Sequence, residues 1–585
     1  MVSLDTLGIR NNIDQASTNH NYLTRYEDIF AKRYVTSMAI VLGTRPVAIA
    51  NTFAEHLPDS SITVASYAPV SHDDLTHLRP NVRLVPVRNV IDIHRALAPH
   101  GPYDVLIEDS PNRKSQKREI FKQFFPRLRN GGLYIAEDLH ANYIPSLQDD
   151  DGENLWELVS RLLELKGSAG RAPSVASRDE LYLAEAILRV EFDGKLLCIQ
   201  RRGDAFTKLR HAETDSILQE KYGSEWGRVI HNIDAHTFTS DAVAFANRPD
   251  LLRKKLPDKL HSPEILVRQY KNVTAYPRQI LVKDALLLPD TFRLSLTGRL
   301  NNTALDPCNH YHARLNSAPE PIFLPGEFYY LDLEYNRHFG HFMTEAIPRL
   351  YGWDSAKESN PDMKLLISSP TAGGELLEYQ LQILLAYGME ESDIRVFTEP
   401  HTIESLVSPM PLFHNGKYVH PHITSTYRRL SDALSLDTAT PRKIFVSRKP
   451  GMWRECLNMS RLEEVFTEHG FTIVYPEDLS LREQVTLFAN VEVVGGYIGS
   501  SLYNTMFSRR PIDIIAFVNT SYQSTNEYFI ATALGHRLHM FWCDDIIGNR
   551  DTDSSGRPLA RTNYDFEFDF GRDGKELSSI LGSFE

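Results

Sequence analysis

KIFVSRKPGMWRECLN (443–458), FTIVYPEDLSLREQV (471–485), VEVVGGYIGSSLYNTMF (491–507) and PIDIIAF (511–517) decide the fold of the last third of the chain. Each opens on a short apolar run bounded by Gly, Pro or a helix-capping residue, so strands alternate with helices. Asn458 or Ser460 starts a helix that Gly470 stops. Ser480-Leu-Arg-Glu483 is a capping box, in which each side chain satisfies the other residue's backbone amide. Four strands with three helices between them make half of a doubly wound nucleotide-binding sheet. Working outward, residues 436–585 read as a C-terminal lobe and tail. Residues 261–435 read as a second α/β lobe, with strands at ILVRQY (265–270) and KLLIS (364–368) and a helix at ELLEYQLQILLAYG (375–388) closed by Gly388.

Toward the N-terminus the same alternation returns in MAIVL (38–42), SITVAS (61–66), VRLVPV (82–87), YDVLIED (103–109) and GGLYIAED (131–138), the pattern of parallel strands joined by crossover helices. AILRVEF (186–192) and KLLCIQ (195–200) flank Asp193-Gly194 and read as an antiparallel hairpin, because Asp-Gly favours a type I′ turn. The expected domains are an N-terminal extension (1–34), a Rossmann-like domain (35–203), a charge-rich connecting region (204–260, with LRKKLPDKL at 251–259) and the two lobes. A parallel sheet ending in a hairpin resembles the class I methyltransferase fold, and YDVLIEDSPNRKSQKREIFKQFFPRLRNGGLYIAEDL (103–139) resembles that family's fourth strand, helix and fifth strand. The resemblance implies a site for S-adenosylmethionine, yet the turn after the first strand, Leu42-Gly43-Thr44-Arg45-Pro46, holds one glycine. Ala65-Ser66-Tyr67-Ala68 supplies no acid for a ribose. Asp109, Glu137, Asp138 and His140 lie at strand ends, where a catalytic or metal cluster would sit, and are read as solvated ends of a degenerate domain.

The chain has 585 residues, 42% hydrophobic, 24% charged and 10% aromatic, which fits a globular protein and excludes a fibrous or disordered one. Its charge, 63 − 76 = −13, argues against holding nucleic acid through phosphate neutralisation, so an anionic ligand must be met locally. Cys198, Cys308, Cys456 and Cys543 show no CxxC spacing, hence neither a zinc knuckle nor a disulfide framework, and a reducing compartment fits. Met1 to Tyr34 lacks the basic-then-apolar order of a signal peptide, and no run reaches the roughly 18 apolar residues that span a bilayer. The expected location is cytoplasmic, with peripheral membrane association left open. The Asn-x-Ser/Thr triplets at Asn272, Asn301, Asn458 and Asn519 carry no weight without a secretory signal.

FGHFMTEAIPRL (339–350) after Tyr335-Asn336-Arg337-His338, VSRKPGMWRECLN (446–458), Pro476-Glu477, Glu483-Gln484 and GGYIGSSLYNTMF (495–507) together resemble glycosyltransferase family 61 over about residues 261–545. The resemblance implies a GT-B arrangement of two Rossmann-like lobes and inverting transfer of a sugar from a nucleotide donor. Such a displacement needs a base for the acceptor hydroxyl and positive charge for the departing diphosphate. His341 is the candidate base, with Glu345 one helical turn on to orient the ring. The opposing reading packs His341 beside the apolar stripe of Met343, Ile347 and Leu350. His338 is a second candidate, and Pro348 should end or kink the helix. Arg448 at a strand's carboxyl end and Arg454 in the next loop suit phosphate oxygens. Asn458 either caps a helix or touches the donor, and Glu477 and Gln484 serve the nucleotide or lobe packing. Gly499, Ser500 and Ser501 precede a helix whose amides can receive phosphate, with Asn504 following. Where the family shows His-Gly this chain has Ile498-Gly499, which removes a donor near the leaving group. Asp551-Thr552-Asp553 reads as a surface loop, so no metal is expected. Some of Phe328, Tyr329, Tyr330 and Tyr335 are candidates to stack on sugar rings, the rest being core.

The sequence therefore predicts an inverting glycosyltransferase that acts on a glycan acceptor in surface polysaccharide or glycoconjugate synthesis. It uses a nucleotide-sugar donor and needs no cofactor, and a homo-oligomer is compatible with it. Two rivals stand beside it: a bifunctional enzyme that also methylates through S-adenosylmethionine, and a non-catalytic scaffold of two Rossmann-like units.

Overall fold

The run SMAIVL forms β1 (Ser37–Leu42), buried along its whole length because both faces of the sheet are covered. Its side chains alternate: Met38, Ile40 and Leu42 enter one core, Ala39 and Val41 the other. The computed structural model describes residues 2–168, 176–193, 195–296, 298, 300–315, 319–451, 453–522, 525–546 and 560–585. It divides into one unit of Met1–Trp226 with Ile280–Glu320 and another of Gly227–Gln279 with Pro321–Glu585.

In the first unit β1 is joined by β2 (Ser61–Ser66), β3 (Val82–Pro86), β4 (Tyr103–Asp109), β5 (Leu128–Ala136), β6 (Ile187–Asp193) and β7 (Leu196–Arg201), in the order β3-β2-β1-β4-β5-β7-β6. The first five run parallel, and β7 is antiparallel to both of its neighbours. This is the parallel sheet ending in a hairpin that the sequence predicts; Gly194 of the connecting turn lies outside the described residues. Residues 1–34, read from sequence as an extension, supply Leu4, Ile13, Tyr22, Leu23, Tyr26 and Phe30 to the core that holds Met38 and Ile40. Each such side chain contributes about 1.5–3 kcal/mol by leaving water, which ties the segment down.

Beside three two-stranded sheets among the described residues, two larger sheets carry the second unit. One places β9 (Ile265–Tyr276), β13 (His401–Pro409), β10 (Ile322–Tyr330), β11 (Lys364–Ser368) and β12 (Ile394–Phe397) side by side, antiparallel at the first pairing and parallel thereafter. The other is six-stranded and wholly parallel, in the order β8 (Val243–Ala246), β18 (Arg537–Cys543), β17 (Asp513–Asn519), β16 (Val493–Tyr497), β14 (Lys443–Val446), β15 (Thr472–Val474). The segment expected to connect two domains, 204–260, is divided. Its helix His211–Tyr222 belongs to the first unit, while the strand Gly227–Ile233 pairs with β9 and β8 extends the six-stranded sheet. Residues 280–320, expected inside the first lobe, belong to the first unit, where Tyr311 stacks on His94 with ring centroids 4.3 Å apart.

The capping box at Ser480 forms as expected and opens the helix Leu481–Asn490. The segment after Gly499-Ser500-Ser501 differs from expectation: it is a six-residue 3-10 turn, Leu502–Phe507, rather than an α-helix. Among the described residues no helix is long and apolar enough to cross a membrane.

Candidate active site

The order of the six-stranded sheet reverses at β14: β15 follows it in sequence and lies on one side, while β16 and the later strands lie on the other. At such a reversal the loops leaving the strands' carboxyl ends part and open a crevice. Arg448 and Arg454 stand in the loop after β14, and Gly499-Ser500-Ser501 in the loop after β16. The two guanidinium groups converge there. A Cβ on Gly499 would lie 2.6 Å from Nη2 of Arg448 and 3.7 Å from Nη2 of Arg454, and the backbone at Gly499 has φ +146°, so both space and conformation call for glycine.

Backbone carbonyls hold Arg448 in place, Nη2 donating to Ile498 O at 2.5 Å and to Tyr497 O at 3.4 Å. Ile498, which stands where the resemblance predicts histidine, is buried and thus serves through its carbonyl. Arg454 lies over the Tyr522 ring at 4.1 Å, and its buried Nε has no hydrogen-bond partner. Burial first, and the charge of Arg454 next, pull the Arg448 guanidinium down to about 10. Glu527, whose Oε1 accepts the Gly499 amide at 2.8 Å, offsets part of this. Two forks of like charge held side by side are suited to a doubly charged anion.

Arg448, Arg454, Ser500, Ser501 and Asn504 line a cavity of about 1130 Å3, together with Glu477 and Gln484. Glu477 is exposed, and its Oε1 accepts the Lys449 amide at 3.3 Å. Gln484 donates to Pro476 O (2.8 Å) and Leu479 O (3.1 Å) and accepts from Asn504 Nδ2 (3.1 Å), so it braces the cavity wall. Asn504 Oδ1 is buried without a partner. Asn458 is not brought to the cavity. Its amide is taken at both ends by the backbone of Phe568, at 2.8 and 3.0 Å, and it makes no side-chain cap to the helix Met459–Glu468.

His338 and Phe339 line the same cavity. The helix begun at Phe339–His341 widens into a π turn, Phe342–Ala346, and tightens into a 3-10 stretch, Ile347–Gly352, that contains Pro348. Proline has no amide to continue an α-helical ladder, and just before it Ile347 N–H reaches back five residues to Phe342 O. The turn carries His341 and Glu345 together: Nδ1 of His341 lies 2.7 Å from Oε1 of Glu345, with 23% and 7% of the respective side chains exposed. A carboxylate can only accept, so Nδ1 bears the proton. Tyr335 stacks on the His341 ring at 4.7 Å, and Asn415 Nδ2 donates to the same Glu345 oxygen at 3.0 Å. His341 is not among the cavity-lining residues; it packs edge-on against His338, which is, with ring centroids 4.8 Å apart. Sequence reasoning did not single out Lys449, Trp453 or Tyr379, all of which line the cavity. The first two sit inside the quoted RKPGMWREC motif, whereas nothing local marks Tyr379.

In the first unit, the strand-end carboxylates are fastened by the chain itself. Gln15 Nε2 donates to Asp109 Oδ2 (2.9 Å) and Glu137 Oε2 (3.3 Å), Tyr26 donates to Glu137, and Tyr22 donates to Asp138 Oδ1 (2.8 Å). Asp109, Glu137 and Asp138 are buried, so the expectation of solvated strand ends is corrected for these three; His140 remains exposed beside Asp138. Burial first, then the neighbouring carboxylate, raises Asp109 well above the carboxylate range, and burial pushes Glu137 up to about 8. Among the described residues no three His, Cys, Asp or Glu side chains are arranged to hold a metal ion. Asp551, Thr552 and Asp553 lie outside the described residues.

Residues 339–515 match the family Glycosyltransferase 61, which bears out the resemblance carried by the motifs between FGHF and GGYIGSS. The N-terminal region is similar to O-methyltransferases. L-olivosyl-oleandolide 3-O-methyltransferase of Streptomyces antibioticus is 35% identical over 75 residues, 13% of this chain and 19% of that protein. Demethylmacrocin O-methyltransferase of Streptomyces fradiae is 34% identical over 92 residues, 14% and 23% of the two chains. 8-Demethyl-8-alpha-L-rhamnosyl tetracenomycin-C 2'-O-methyltransferase of Streptomyces olivaceus is 30% identical over 119 residues, 19% and 31%. The match thus spans 19 to 31% of the length of these relatives. Among solved structures, the MycE methyltransferase of mycinamycin biosynthesis, in complex with Mg and SAH, aligns with a TM-score of 0.30 at 20% identity, over 34% of this chain and 53% of that one.

In the first unit the loops leaving β1 and β4 touch each other. The reversal of strand order there falls at β1 and β4, and the ladder runs one residue past β1, Gly43 N–H donating to O of Asp109, the last residue of β4, at 2.7 Å. A Cβ on Gly43 would lie 3.0 Å from Pro111 N, so the two loops are in contact at the reversal point.

Proposed function

We propose that the second unit is an inverting glycosyltransferase of the two-lobed GT-B kind, moving a sugar from a nucleotide-sugar to a glycan hydroxyl in surface polysaccharide or glycoconjugate synthesis. The observation that carries this is the convergence of Arg448 and Arg454 on Gly499 at the reversal of strand order. The family match over residues 339–515 supports it.

In this reading the acceptor hydroxyl gives its proton to Nε2 of His341 as its oxygen bonds the anomeric carbon. The carbon–oxygen bond to the diphosphate breaks, and its electron pair stays on the diphosphate. Arg448 and Arg454 meet that charge, and Glu345 steadies the imidazolium through Nδ1–H. The guanidinium pair supplies the positive charge, so the reading calls for no metal or further cofactor. The first unit acts as a scaffold; the contact between its β1 and β4 loops weighs against the bifunctional alternative that the methyltransferase relatives suggest. The protein works in the cytoplasm, soluble or peripheral to a membrane.

The test compares His341→Ala with His338→Ala. Loss of a general base should lower transfer by about 10²–10⁴-fold with nucleoside diphosphate affinity unchanged, and His341→Ala should show it. A larger loss for His338→Ala would exchange the two rings. Lost nucleotide affinity would move His341 to the donor site.

A further inference from the structure

The cavity of the second unit has two unlike walls. One, built on the six-stranded sheet, carries Arg448, Arg454 and the Gly499 loop. The other carries Phe339 and the start of the helix Glu378–Ala386, with Glu378, Tyr379 and Gln382 facing the cavity. A pocket for one drug-sized ligand occupies about 300–1,000 Å3. This cavity, at about 1130 Å3, exceeds that range.

The chemistry of the second wall differs from the first. The Tyr379 ring packs edge-on against Phe339 (5.3 Å) and Phe342 (5.7 Å), which fixes its orientation. Its hydroxyl is buried, with the Gln380 side-chain amide as its neighbour and no hydrogen bond of regular geometry. Gln380 also donates to Asn336 O (2.7 Å) and accepts from Leu377 N (3.0 Å), so its amide is fixed beside the phenol. Burial pushes the Tyr379 phenol up to about 12, so it stays a neutral donor at physiological pH. Gln382 Nε2 donates to Glu378 Oε1 at 2.9 Å, which places an amide and a carboxylate one helical turn apart beside the ring. The helix Glu378–Ala386 carries no Lys or Arg, and Arg337, beside His338, also lines the cavity.

Resting on the glycosyltransferase reading, we propose that the Tyr379 wall is the acceptor subsite and that it takes a neutral sugar ring. The ring lays a C–H face on the aromatic side chain. Its hydroxyls bond to Tyr379 Oη and to the Glu378–Gln382 pair, and Glu378 disfavours an acidic acceptor.

The full chain, saturated with the nucleoside diphosphate it binds best among UDP, GDP and CDP, is applied to a panel of immobilised neutral and acidic oligosaccharides. Tyr379→Phe, Tyr379→Ala and Gln382→Ala are compared with the unaltered protein, and the same nucleotide is titrated into each. The expected result is binding of neutral glycans, weakened about fivefold or more by Tyr379→Phe and beyond tenfold by Tyr379→Ala, with nucleotide affinity within twofold throughout. Tyr379→Phe removes only the hydroxyl and keeps the ring's packing, so it should melt close to the parent, which separates recognition from folding. Preference for acidic glycans, no glycan binding by a protein that binds nucleotide, or a matching loss of nucleotide affinity in Tyr379→Ala overturns the subsite. A protein that binds none of the nucleotides but binds neutral glycans through Tyr379 overturns the donor reading and keeps the subsite.

Discussion

Gly340 touches Ser500: a methyl group on Gly340 would stand 2.3 Å from Ser500 Oγ and 2.9 Å from its Cβ. The residue before His341 and the loop beside the paired arginines are therefore in direct contact, although 160 positions separate them (500 − 340). This contact brings the proposed base and the proposed leaving-group site into one place.

Gly340→Ala should cost about 1–3 kcal/mol through overpacking and lower the melting temperature of the second unit. Ser500→Gly in the same chain removes the clashing atoms and should restore most of that loss. A double variant no more stable than Gly340→Ala alone would show that the contact is not what limits position 340.

Arg448→Ala should weaken nucleoside diphosphate binding by roughly 1.5–3 kcal/mol in a calorimetric titration, the range for a hydrogen bond to a charged group. Arg454→Ala should do likewise. Because Arg454 depresses Arg448, its removal should leave the ligand-free protein no less stable.

Asn458→Ala separates brace from ligand. Its amide holds Phe568 from both sides, so truncation should lower stability by about 1–3 kcal/mol while nucleotide affinity stays the same. A drop in affinity without a drop in stability would return Asn458 to the donor site.

Glu137 links the first unit to pH. Burial raises its folded-state value from 4.5 to about 8, so the folded chain holds a proton that the unfolded chain releases. Its favourable contribution is complete below about 4.5 and is lost as pH rises to about 8, at up to about 1.4 kcal/mol per pH unit. Glu137→Gln should flatten that slope in melts at pH 5 to 8. An unchanged slope would assign the linkage to Asp109 or to none of the cluster.

Much of this architecture is legible locally. KLLIS (364–368), SITVAS (61–66) and YDVLIED (103–109) are strands over their quoted ranges, because apolar runs flanked by turn residues carry a short-range signal. Gly388 and Gly470 end helices with positive φ, as their positions suggest. His341 and Glu345 pair because helical spacing brings them together whatever the tertiary setting. What the sequence hides is long-range. Nothing near Asn458 announces Phe568, nothing near Gln15 announces Asp109, and the return of residues 280–320 to the first unit depends on packing such as Tyr311 on His94.

The most direct measurement is a thermal-shift titration of the full chain with UDP, GDP and CDP, with S-adenosylmethionine run alongside and Arg448→Ala as the control. A nucleotide at about 100 times its dissociation constant stabilises by roughly 2.7 kcal/mol, which moves a melting transition visibly. Stabilisation by one nucleoside diphosphate, lost in Arg448→Ala, with S-adenosylmethionine silent, is the predicted result. No shift with any nucleotide, or a shift with S-adenosylmethionine alone, would contradict it.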